Sequence, residues 1–147
     1  MFADFNVMLD GDRRITRKRR YTSSEIEDFE NQYRLTLPAL YKHFLHDVGT
    51  FLYVDDAYGA TFELLNLEQI SDWSQQVFYG SNNLFPTILL IASDTSGENF
   101  GIIAGSELLQ VFDPECPVEL WPEEQLASYR FSDWFQLLLN KKLTKTW

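Results

Sequence analysis

Residues 24–49, SEIEDFENQYRLTLPALYKHFLHDVG, constrain the fold more than any other stretch, because they read as two short helices hinged at a proline. Thr22 with Glu25 and Ser24 with Glu27 form overlapping capping boxes, so a side-chain oxygen is available to the backbone donors of a first turn. Ile26, Phe29 and Tyr33 then fall on one helical stripe, while Glu25, Glu27 and Asp28 face water. Pro38 suits the first turn of a second helix, where its missing N–H costs nothing, and it pushes Leu37 into an extended conformation. Leu40, Tyr41, Phe44, Leu45 and Val48 form a broad apolar face, and Gly49 can supply the left-handed residue that ends the helix. The segment predicts an αα-hairpin with a buried seam.

On either side of it the pattern is mostly β. Phe5, Val7 and Leu9 alternate ahead of Asp10-Gly11, a hairpin-turn signal. Only Ile15 is apolar among residues 12–20, which leaves a short strand and a loosely docked arm as alternatives. Residues 51–54 and 60–65 predict a paired β-meander. Ile70, Trp73 and Val77 predict a helix over 67–78, ended by the polar turn Gly80-Ser81-Asn82-Asn83. The aliphatic run 86–92 is short enough to be a central strand buried on both faces. Residues 99–104 and 108–112 complete three antiparallel strands. Pro117 and Pro122 make 116–124 an edge segment or a loop. A last, nearly apolar helix starts with Ser132 as N-cap and Asp133 in its first turn, and carries Lys141 and Lys142 in its last turn. The expectation is an α+β domain, a mostly antiparallel central sheet packed by an N-terminal helical hairpin and a C-terminal helix. Residues 1–20 form an N-terminal arm and 21–147 a single domain.

A chain of 147 residues with 12 Phe, 7 Tyr and 4 Trp can bury one ring-rich core without staples. A single cysteine, Cys116, excludes an internal disulfide and fits a reducing compartment, hence a cytoplasmic location. No apolar run approaches the length of a membrane span, and MFADFNVML lacks the basic start of a signal peptide. Charge is more informative. Arg13, Arg14, Arg17, Lys18, Arg19 and Arg20 crowd one octapeptide, whereas over residues 21–140 the acids outnumber the bases 19 to 3. Such a surface repels nucleic acid and accelerates encounter with a basic protein. The octapeptide has no aromatic interleaving, so it reads as an arm lying near its own acidic surface.

Chemistry-bearing patterns are thin. His43, His46 and Asp47 share one helix, but no other histidine exists and the H-E-x-x-H base is missing. Asp94, Ser96 and Glu98 imitate only the start of a calcium loop. No G-x-S-x-G occurs, and 22 acids offer carboxylate pairs by number alone. No catalytic residue, metal site or cofactor is expected.

The order of these features resembles the SUKH superfamily, the Smi/Knr-type domain of bacterial immunity proteins and a fungal cell-wall regulator. The likeness spans roughly residues 24–140. It is carried by Ile26, Phe29 and Tyr33, then Leu37-Pro38-Ala39-Leu40-Tyr41-Lys42-His43-Phe44-Leu45, which is similar to an LPxxYKxFL motif. The strand 88–92 with Asp94 and Gly97-Glu98, the run 109–113 and the aromatic-opened helix 131–139 follow in the family's order. Val48-Gly49-Thr50 stands where the family commonly has Asn-Gly-Gly, and the basic arm has no counterpart. The resemblance implies a non-catalytic protein-binding domain: an immunity protein that neutralises a cognate, basic toxin of nuclease or deaminase type, or alternatively a regulatory scaffold. The acidic charge and the lack of a spanning run predict no nucleic-acid or membrane partner, and the oligomeric state is open with a monomer slightly favoured. Candidate partner-binding residues are loop acids and one ring, Asp55, Asp56, Asp94, Glu98, Asp113, Glu115, Glu119 and Trp121, the last of which reads better as core or groove lining than as a hot spot.

Overall fold

A computed structural model describes residues 1–79 and 83–141, Lys141 by its backbone alone. The turn read at Gly80, Ser81 and Asn82, and the helix-end role of the Lys141 and Lys142 side chains, lie outside the described residues.

The hairpin forms as its caps require. Helix α2 (Ser23–Tyr33) is opened by a capping box in which Thr22 accepts from the Glu25 N–H and the Glu25 side chain accepts from the Thr22 N–H; Ser24 lies inside the helix. Pro38 is the N-cap of α3 (Ala39–Asp47), one position earlier than expected. Glu30 ties the hinge, accepting from the Leu37 N–H at 2.7 Å and pairing with Lys42 at 3.3 Å. Tyr41, Phe44 and Leu45 are fully buried, each worth roughly 1.5–3 kcal/mol of transfer free energy.

Residues 1–12 depart from the expected extended reading. They form helix α1 (Ala3–Gly11), with Phe5 and Leu9 buried and Val7 72% exposed. The alternation that grouped Val7 with them was half of a different pattern: Phe2, Phe5 and Leu9 recur at three and four, a helical stripe. Asp10 and Gly11 end α1 instead of turning a hairpin. Of the two alternatives for the basic stretch, the strand is present as β1 (Ile15–Arg17), paired with β2. The first twenty residues share the core of the rest, to which Phe2, Phe5, Leu9 and Ile15 contribute.

Among the described residues seven strands make one antiparallel sheet in chain order: β1, β2 (Phe51–Asp55), β3 (Ala60–Leu64), β4 (Ile88–Asp94), β5 (Asn99–Ile103), β6 (Leu108–Phe112) and β7 (Ala127–Arg130). The fold is α+β, as expected. β4 sits in the middle and its aliphatic run is buried on both faces. A bulge between Leu90 and Ala92 lets both Ile91 and Ala92 join the main core. That core lies between one sheet face, including Phe51, Tyr53, Phe62, Phe100 and Val111, and the helices α1, α2, α3 and α5 (Phe131–Lys141). On the opposite face α4 (Leu67–Val77) and a single 3-10 turn (Val118–Leu120) enclose Phe78, Ile88, Leu90, Phe112 and Trp121. β7 was not anticipated, and it runs straight into α5, so Phe131 begins the helix and Ser132 is its second residue.

Gly49 closes α3 at φ 86°, donating its N–H to the Phe44 carbonyl at 2.8 Å. A Cβ there would collide with the Arg19 carbonyl, where the basic stretch crosses the turn. Gly49→Ala is therefore expected to cost more than about 2 kcal/mol, since both φ and the contact oppose it. Urea unfolding measures this, and a loss within about 0.5 kcal/mol, the range of an unconstrained surface site, would show that Arg19 yields freely.

Candidate protein-binding site at the acidic end of the sheet

Antiparallel order fixes which loops meet. The β2–β3 turn, the β4–β5 turn and the β6–β7 connection all leave the same end of the sheet. The first two touch through the Thr95 N–H, which donates to the Thr61 carbonyl at 3.1 Å. The second approaches the third where Gly97 faces Pro114. These loops carry Asp55, Asp56, Asp94, Glu98, Asp113, Glu115 and Glu119, so nearly all of the candidates share one end of the molecule.

Two of the eight candidates are buried and serve the fold. Asp55 is 7% exposed; its carboxylate pairs with Arg14 at 3.1 Å, accepts from the Tyr53 hydroxyl at 3.2 Å and caps the turn at the Ala57 N–H. Trp121 is 2% exposed, stacks on Phe112 at 4.9 Å and donates its Nε1–H to the Cys116 carbonyl at 3.0 Å. Asp94 and Asp113 are half-buried and shape their loops, Asp94 accepting from Ser96 and the Glu98 N–H, Asp113 from the Glu115 N–H. Asp56, Glu115 and Glu119 are exposed.

The basic run is spent elsewhere. Arg14 pairs with Asp12 as well as Asp55, Arg17 with Asp10, Lys18 with Glu63 at 2.7 Å, and Arg19 with Glu25 and Glu68. Arg14 and Arg19 also lie over the rings of Tyr53 and Tyr21. Where such pairs are exposed, as between Arg19 and Glu68, they add little stability, but all of them cancel charge where they stand. Among the described residues, Asp56, Asp94, Glu98, Asp113, Glu115 and Glu119 meet no cation within ion-pair distance. The loop end therefore keeps the charge that the flank has lost.

Within it Glu98 is the most perturbed acid. Burial first, then the charge of Asp94 and a hydrogen bond between the two carboxyls, hold its carboxyl above the usual range, with Asp113 adding to the effect. A raised folded-state value gives stability that is full below the ordinary carboxyl value and lost as pH rises through the raised one. At neutral pH the ionised Glu98 is a liability. Glu98→Gln is expected to raise the thermal midpoint at pH 7 and to leave it nearly unchanged near pH 3, below the ordinary carboxyl value, where the acid is largely protonated in both states. Calorimetry at the two pH values decides, and a lower midpoint at pH 7 would contradict the repulsion.

Sequence reasoning missed three apolar groups at this end. Tyr58, at the β2–β3 turn, is 83% exposed, and Leu120 and Leu126 project from the β6–β7 connection. The available signal was a tyrosine inside the turn Asp56-Ala57-Tyr58-Gly59, where a turn needs no ring. Apolar groups amid unpaired acids have the composition of a protein interface. Among the described residues no cluster of three or more His, Cys, Asp or Glu could hold a metal. His46 and His43 lie beside Asp47 on α3, His46 at 3.0 Å. No described helix is long and apolar enough to cross a membrane.

A protein of Dickeya dadantii (strain 3937) named immunity protein RhsIB is 32% identical to this chain over 135 residues, covering 88% of this chain and 81% of the relative. No solved structure gives a significant match. The profile of the SMI1/KNR4 family (SUKH-1) matches residues 21–140, from the last residue before the capping box to the penultimate residue of α5, and the chain belongs to that family.

Proposed function

We propose that this chain is an immunity protein, a non-catalytic cytoplasmic monomer that neutralises a cognate toxin by covering a basic surface on it with the acidic end of the sheet. The observation that carries this reading is the convergence of unpaired acids from three loops, in a chain similar to a protein named for immunity. Nucleases and deaminases acting on nucleic acid present cationic surfaces to phosphate, and an acidic partner of matching shape competes there. The same charge disfavours nucleic acid as a ligand of this chain. Asp56, Glu115 and Glu119 supply steering, and Tyr58, Leu120 and Leu126 supply apolar contact area.

Co-expression with the toxin domain encoded beside it, in a host which that toxin kills, tests the reading. Growth should be restored, and the purified pair should form a one-to-one complex whose association slows steeply with added salt. Failure to rescue, or rescue without a complex, would sink it.

A further inference from the structure

Beside Glu98 the sheet end is not flat. Where α5 stops covering β5, β6 and β7, a cavity of about 120 Å³ opens, walled by Phe100, Val111, Trp134 and Leu137, with Glu98 and Leu126 also lining it. Its walls are mostly apolar, Tyr129 adding a phenol, and its one acid is flanked by the charges of Asp94 and Asp113. We propose that this cavity is a socket for one lysine side chain of the protein partner, its aliphatic stem lying on Phe100, Val111 and Leu137 and its ammonium meeting Glu98. The identity of the partner rests on the immunity reading; the socket itself is a property of this chain.

Three observations select this occupant. The cavity's size admits a single slender side chain, and a compact ammonium on a four-carbon stem suits an apolar channel with one carboxylate better than a planar guanidinium fork. Glu98 stays partly desolvated beside two other acids without a cation of its own, so an incoming positive charge relieves an existing repulsion. Trp134 presents an aromatic wall, against which an ammonium and its aliphatic stem can lie.

The lysine side-chain analogue n-butylammonium is the probe, with n-butanol as the uncharged control at matched ionic strength. The Trp134 indole N–H resonance, assigned with Trp134→Phe, reports occupancy by NMR. A saturable shift with butylammonium is expected, weakened about tenfold in Glu98→Gln because a charge-assisted hydrogen bond is lost, with butanol binding no better than in that variant. Ala127→Leu, which adds bulk to the lining, should abolish the shift. The isosteric glutamine variant keeps the test open if the leucine variant fails to fold. No shift at Trp134, or a response equal for butanol and undiminished in Glu98→Gln, overturns the socket. A toxin complex that forms but is indifferent to Glu98→Gln also overturns the socket and leaves the immunity reading standing. A butylammonium shift without any toxin complex supports the socket and removes the immunity reading.

Discussion

Phe44→Ala is expected to destabilise the chain by about 4 kcal/mol, within the range for deleting a fully buried phenylalanine. The reason lies in what the ring joins. Phe44 stacks on Phe135 of α5 with centroids 4.3 Å apart and meets Phe2 and Phe5 edge-on at 5.2 and 4.9 Å. Alanine thus leaves a void between three helices, and three ring contacts disappear with the transfer free energy. For a domain whose whole stability is roughly 5–15 kcal/mol this is a large share, and the thermal midpoint should fall by about 10 °C or more. Phe44→Leu, which keeps most of the volume, should cost less than half as much. Chemical unfolding of the pair measures both. A loss below about 1.5 kcal/mol for alanine would mean that the neighbouring rings close the gap, so that the cluster is not a rigid hub.

That hub explains what was legible and what was not. The capping box at Thr22, the hinge at Pro38 and the terminus at Gly49 are local devices, each satisfied within a few residues, and all three are where the pattern put them to within one position. The partners of Phe44 are not local. Phe5 belongs to a helix that reads as a strand unless Phe2 is counted, and Phe135 lies some ninety residues away. β7 escaped notice because only Ala127 and Tyr129 face inward, too few apolar groups to raise a strand signal. The pairing of β3 with β4 across the intervening α4 likewise has no local mark.

The site divides the same way. Acidity is a property of composition, so the loops were found; burial is a property of packing, so their members were not sorted. Asp55 looked equivalent to Asp56 in sequence, yet only Asp55 lies within reach of Arg14. Trp121 became core because Phe112 and Phe78 stand beside it. The basic octapeptide could be placed against acid in general, but not against Glu63, Glu25 and Glu68 in particular. Those pairings turn a net charge of −10 into a localised one.

Localisation has a consequence that separates it from net charge. Asp56, Glu115 and Glu119 are exposed, and among the described residues their carboxylates hold no ion pair, so each reversal to lysine should change stability by no more than about 0.5 kcal/mol. Association with the cognate toxin should nevertheless slow by about 10²–10³-fold, and its dependence on salt should flatten, because the steering field at the docking end is inverted. Glu27 and Asp28 of α2 with Asp72 of α4 are three equally exposed acids on helices, and reversing them changes the net charge by the same amount. That control should slow association by less than about tenfold, since its charges stand on helices and not on the three docking loops. Stopped-flow association rates for the two triple variants, at low and physiological salt, make the comparison. Equal slowing by both would mean that acidity acts only as a global property and that the sheet end is no site. Slowing confined to the loop triple would identify the end of the sheet, rather than the helical hairpin that marks the family, as the surface on which partner recognition is written.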